Sequence, residues 1–185
     1  MTTATKNLEN DHVNILRLID VMEVMVERST TDITHIETAV NLIKNFADGF
    51  HHAKEEYLLF PKIATKGFSM ENGPIAVMLH DHTEGRNYVK GMSVAIENYK
   101  NGDLKAIDSI YSNMNGYGEL LRAHIGKENN ILFRMADNIL STDEQQALVD
   151  EFARIELESY SNNKIQEFIA TIEELEGIYI NTVVQ

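Results

Sequence analysis

The sequence contains no cysteine, so disulfides, zinc–thiolate sites, iron–sulfur ligation and thiol nucleophiles are excluded together. Proline is scarce, at two residues, and with ten glycines nothing in the composition marks a long disordered segment. Positive charge is in deficit: 16 Lys and Arg against 29 Asp and Glu leave a formal net charge of −13. A surface that acidic repels phosphate backbones and anionic lipid, so neither nucleic acid nor a membrane is an expected partner. No apolar run approaches the length of a membrane span. The polar opening Met-Thr-Thr-Ala-Thr-Lys-Asn carries no hydrophobic signal segment. A cytoplasmic protein is the expectation, and 185 residues suffice for one domain with a core that needs no cross-links.

What is present is helical periodicity. Leu8, Ile15, Ile19, Met22 and Val26 recur at steps of three and four and predict a helix over Lys6–Arg28, with His12 in the same series. After the break Ser29-Thr30-Thr31-Asp32, with Asp32 as the cap, a second helix runs over Ile33–Ala64 on the stripe Ile36, Val40, Ile43, Ala47, His51, Glu55 and Leu58. Pro61 is expected to kink its last turn. Asn72-Gly73-Pro74 starts a third helix reaching Tyr99, and a fourth spans Leu104–Leu140. Ser141-Thr142-Asp143-Glu144 reads as a capping box for a fifth helix ending near Glu158. A sixth follows Ser161-Asn162-Asn163. The expected fold is all-α: an up-down-up-down antiparallel four-helix bundle over residues 1–140. The additional C-terminal helices, 141–185, form an extension of the same domain, and their apolar faces lack histidine and read as cover or as a homodimer surface.

Within this scaffold one pattern occurs twice. Asp11-His12 precedes His51-His52-Ala53-Lys54-Glu55 and Leu59-Phe60, and Asp81-His82 precedes His124-Ile125-Gly126-Lys127-Glu128 and Leu132-Phe133. His at i and Glu at i+4 share a helix face. At a rise of about 1.5 Å per residue, His12 and His51 stand roughly 25 Å above their shared loop, and His82 and His124 roughly 25–30 Å above theirs. Four imidazoles and two carboxylates therefore meet at one level inside the bundle. Buried carboxylates need compensation, and metal cations supply it. The candidate metal ligands are His12, His51, Glu55, His82, His124 and Glu128.

Helical angle separates these from the other histidines. Taking Val40 as zero and about 100° per residue, His51 and Glu55 lie near the apolar stripe, whereas His52 and Glu56 fall with Asn41, Asn45 and Asp48 on the wet face. His80 points away from His82, and His35 reads as a surface residue. Asp11 and Asp81 are either acceptors for imidazole N–H groups on neighbouring helices or solvated acids. Lys54 and Lys127 are expected to snorkel at the bundle edge, and Tyr117 to be a core residue near the site. The Glu-x-x-His spacing of ferritin-like proteins occurs once, at Glu9–His12, which is too few for that architecture.

The doubled His…His-x-x-x-Glu arrangement, Lys-Glu followed by Leu-Phe, and Gly73-Pro74-Ile75-Ala76-Val77-Met78 leading to Asp81-His82-Thr83-Glu84-Gly85-Arg86 resemble the hemerythrin-like, or HHE cation-binding, family. The resemblance covers residues 8–140. It implies a four-helix bundle holding two non-haem iron ions with an oxo or hydroxo bridge. His12, His51, His82 and His124 would be terminal ligands, and Glu55 and Glu128 would bridge. Four histidines with two glutamates look closer to the iron-centre repair proteins and to the iron-sensing domain of an F-box protein than to the oxygen carriers. The cysteine-bearing N-terminal domain of the repair proteins has no counterpart here. The expected function is binding or sensing of O2, NO or peroxide, or of iron itself, with an unidentified redox or signalling partner. The alternatives are a di-iron enzyme reducing NO or peroxide or acting in iron-centre repair, and a zinc or mononuclear structural bundle.

Overall fold

The computed structural model describes residues 2–160 and 163–181. Helix α1 is Ala4–Glu27, opened by the Thr3 hydroxyl, which accepts from the Lys6 amide. Helix α2 spans residues 33–64, and the Asp32 carboxylate caps it by accepting from the amides of Thr34 and His35. Helix α3 is Gly73–Lys100, with Pro74 in its first turn. Helix α4 spans residues 106–139. Helix α5, Thr142–Ser159, begins with the full Ser141/Glu144 capping box, and α6 is Lys164–Tyr179. The Ser161–Asn162 part of the break expected before α6 lies outside the described residues. Helices α1 to α4 form the antiparallel up-down-up-down bundle, and α5 and α6 are the additional C-terminal helices. No described helix is long and apolar enough to cross a membrane.

Two of the bundle helices are not uniform. In α2, Ile33–Leu42 and Phe60–Ala64 are α-helical, but Ile43–His52 and Glu55–Leu59 are wide π turns. In α4, Glu128–Leu132 is a wide turn between α-helical stretches. A wide turn closes its hydrogen bond from i to i+5, so each residue advances by less angle than in an α-helix. Pro61 sits in the first turn after the second wide turn of α2.

The apolar core is divided in two. One cluster includes Ile15, Met22, Phe46, Met92, Met114, Tyr117 and Ile172; the other includes Leu8, Leu59, Phe60, Met78, Phe133, Leu148 and Phe152. On each bundle helix the residues between the two clusters are the polar ones of the repeat: position 12 on α1, 51–55 on α2, 82 on α3 and 124–128 on α4. A polar layer is thus sealed between two dry layers. Helix α5 contributes Leu148 and Phe152 to one seal, and α6 contributes Phe168 and Ile172 to the other.

Candidate metal centre

All six residues singled out by the repeat lie in this layer, each at most 1% exposed. Across the bundle, His12 Nε2 stands 3.0 Å from His51 Nε2, and His82 Nε2 stands 3.2 Å from His124 Nε2. Each glutamate reaches one imidazole of each pair. Glu55 lies 3.6 Å from His51 and 3.5 Å from His82; Glu128 lies 3.2 Å from both His124 and His12.

Histidine 52 corrects the expectation drawn from helical angle. It is buried, 4% exposed, with its ring stacked on His82 at 3.7 Å between centroids. The angle failed because it assumed an α-helical step. Through the wide turns of Ile43–His52 the smaller step accumulates, and both consecutive histidines face inward. The donor atoms then fall into two groups whose members lie within 4.8 Å of one another: His12, His51, Glu55 and Glu128, and His52, Glu55, His82 and His124. The available signal was Asp48, one turn before His52 in the sequence. His80 is exposed, as expected, while His35 is half-buried against the Tyr179 hydroxyl at 2.8 Å.

The outer nitrogens decide what the inner ones present. Nδ1 of His12 meets Asn129 Oδ1 at 2.8 Å, that of His51 meets Asp11 at 3.2 Å, and that of His52 meets Asp48 at 3.2 Å. Nδ1 of His82 meets Glu56 at 2.7 Å and that of His124 meets Asp81 at 3.3 Å. Oxygen acceptors require N–H at Nδ1, so in the neutral tautomer each Nε2 turns a lone pair inward. Asp11 and Asp81 are therefore acceptors for histidines on neighbouring helices. Lysine 54 is a second correction: it is 1% exposed, not snorkelling, and donates to Asp11 and Asn7 while lying over the Phe50 ring. Lys127 makes the matching contact to Asp81 from a half-buried position.

Burial and mutual charge set the protonation of the groups in the layer. Burial lowers the His51 pKa to about 4, and it lowers those of His52 and His82, with neighbouring imidazoles reinforcing the effect. Burial also pushes Glu55 well above the usual carboxylate range, helped by the Glu128 charge. Burial opposes the charge on Glu128 as well, but His124 and His12 hold that carboxyl well below its ordinary value. At His124 the Glu128 and Asp81 charges outweigh burial and keep the pKa up at about 9. Both oxygens of Glu55, both of Glu128 and Nε2 of His52 are buried without an aligned hydrogen bond. Five inward-facing imidazole nitrogens and two carboxylates without aligned hydrogen bonds, converging on one buried layer, fit metal cations bound by imidazole and carboxylate.

The model of the hemerythrin HHE cation-binding domain matches residues 3–136. The chain belongs to the hemerythrin HHE cation-binding family. Among relatives, uncharacterized proteins of Mycobacterium bovis and Mycobacterium tuberculosis are each 22% identical over 184 residues, covering 96% of this chain and 71% of theirs. A probable iron-sulfur cluster repair protein of Haemophilus influenzae is 35% identical over 89 residues, covering 45% of this chain and 38% of its own. No solved structure matches the chain. This HHE protein is thus metal-binding, and its buried His/Glu cluster lies in the layer between the two cores.

Within the family framework the two halves of this chain are unequal. The second repeat carries Ile125 and Asn129 where the first carries His52 and Glu56. Arg86, which donates to both Asp48 and Glu56, ties together the two carboxylates that orient His52 and His82.

Proposed function

We propose that the chain holds two iron ions, one at each donor group, and uses them to bind or sense O2, NO or peroxide. The observation that carries this reading is the crossing of the glutamates. Glu55 faces His51 of one pair through one oxygen and His82 of the other through its second, and Glu128 Oε2 faces both His124 and His12, so each carboxylate would be within reach of both ions. Imidazole and carboxylate donors suit iron, and the absence of thiolate disfavours copper(I). Iron bound there supplies redox chemistry and a bonding position for a small ligand. The chain supplies fixed Nε2 lone pairs, a water-poor layer, and a cavity that reaches the layer at His52 and His82.

The likeness to the probable iron-sulfur cluster repair protein of Haemophilus influenzae supports a second use of the same centre, in iron-centre repair. Both uses require iron first. Protein made with iron supplied is expected to carry two irons per chain and to show charge-transfer absorption in air. One redox-silent ion per chain, or none with the helices intact, would falsify the di-iron reading. Replacing Glu128 by Ala is expected to remove most of the bound metal; retention of two tight irons would overturn its assignment as a bridge.

A further inference from the structure

The cavity beside α3 is larger than a diatomic route requires. It encloses about 390 Å3 and is lined by α2, α3 and α4. A water occupies roughly 30 Å3 in the liquid, so this space suits an organic molecule and falls within the size range of small-molecule sites. Its buried walls are apolar: Ile43, Val89, Leu121 and the Tyr117 ring. At Gly85 a Cβ would make only an ordinary contact, 3.7 Å, with the Tyr117 ring.

The rim has the opposite character to the rest of the molecule. In a chain of net charge −13, three exposed cations, Lys44, Arg86 and Lys90, stand at this opening. The two acids that share the lining are already engaged, Asp48 by Arg86 and His52, and Asp81 by Lys127 and His124. Lys44 and Lys90 form no ion pair among the described residues. A further polar group faces the same space. Tyr117 is 2% exposed and lines the cavity, yet its hydroxyl has no hydrogen-bond partner among the described residues. That hydroxyl is not among the buried unpartnered atoms, so it opens onto the cavity and is free to donate to a bound group.

We infer that this cavity binds an organic monocarboxylate: the carboxylate meets Lys44 and Lys90 and accepts from the Tyr117 hydroxyl, and the apolar body lies against Ile43, Val89 and Leu121. A neutral ligand leaves the two lysines unused. A small inorganic oxyanion leaves the apolar wall unfilled. The site is adjacent to the metal layer but does not depend on the identity of the metal.

The test is calorimetric titration of hexanoate into the full chain as purified, with its metal content measured, against hexanol and inorganic phosphate. Hexanoate is expected to bind saturably at one per chain, with hexanol and phosphate about tenfold weaker or more. The double variant Lys44→Glu/Lys90→Glu, at two exposed positions, is expected to weaken hexanoate about tenfold or more with unchanged metal content. Tyr117→Phe, which keeps the ring, is expected to weaken it about fivefold. Absence of saturable hexanoate binding overturns the inference, as does phosphate binding of equal strength. Affinity that survives charge reversal also overturns it, since the carboxylate would then sit on the metal. Because binding is read as heat and metal by analysis, a chain that lacks iron can still pass.

Discussion

At the scale of single residues the repeat conceals an inequality that burial exposes. Lys54 and Lys127 occupy equivalent positions and bind equivalent aspartates, but Lys54 is sealed between Asp11, Asn7 and the Phe50 ring while the Lys127 side chain is 37% exposed. Lys54→Met strands a largely buried Asp11 charge and is expected to cost about 3 kcal/mol. Lys127→Met should cost about 1 kcal/mol or less, because the lysine end of that pair is open to water, although Asp81 itself is buried. Denaturant midpoints of the two variants, compared at the same metal loading, measure the difference; equal losses would mean that the motif and not burial sets the energy. Arg86 gives the second contrast. Arg86→Ala frees Asp48 and Glu56 together, and is expected to weaken metal about tenfold to a hundredfold in chelator competition. Arg122→Ala removes a surface clamp on Asp20 and Glu23 and should leave metal affinity unchanged. His51, Glu55, His82 and His124 were legible because their spacing repeats. His52 was not, because its place depends on a backbone step that no side chain announces.

The element scale explains that gap. Helix starts were legible from local chemistry: Asp32 and Ser141 offer side-chain acceptors to free amides, and Pro74 follows Asn72-Gly73. The wide turns at Ile43–His52, Glu55–Leu59 and Glu128–Leu132 keep the helix direction while changing its angular step, and hydrophobic periodicity averages over both. All three adjoin or contain residues of the His/Glu layer, so the irregular backbone lies where those side chains are turned inward. Close packing was equally hidden. Gly116 on α4 faces Tyr88 on α3, and a Cβ there would come 2.7 Å from Tyr88 Cζ, which no side chain tolerates without movement. Gly116→Ala therefore forces the ring aside or the helices apart, against the gain in helix propensity. A net loss of about 1–3 kcal/mol is expected. A thermal melt shows it as a lower midpoint; an unchanged or raised midpoint would mean that Tyr88 swings away freely.

For the whole molecule, the layered core makes metal binding and stability one problem. The height match of four histidines was legible from helix lengths alone, since a bundle with short loops fixes which levels meet. The sealing of that level by two separate apolar clusters, with α5 and α6 closing one each, came only from the three-dimensional packing. Glu55 and Glu128 are buried without aligned hydrogen bonds, a cost to the metal-free chain that a bound cation would offset. Any ligand that binds only the folded state stabilises it by about 4 kcal/mol at a thousandfold excess over its Kd. Glu55→Gln separates the two contributions. The variant keeps the shape of the side chain and removes a carboxylate that burial and the Glu128 charge already disfavour in its ionised form. Stripped of metal, it should therefore be at least as stable as the parent. Supplied with iron, it should gain little, because a bridge between His51 and His82 is missing. Paired melts with and without metal read both effects. A metal-free variant far less stable than its parent would show that Glu55 holds the fold by itself. A variant that still gains the parent's full increment with iron would show that the metal does not need it.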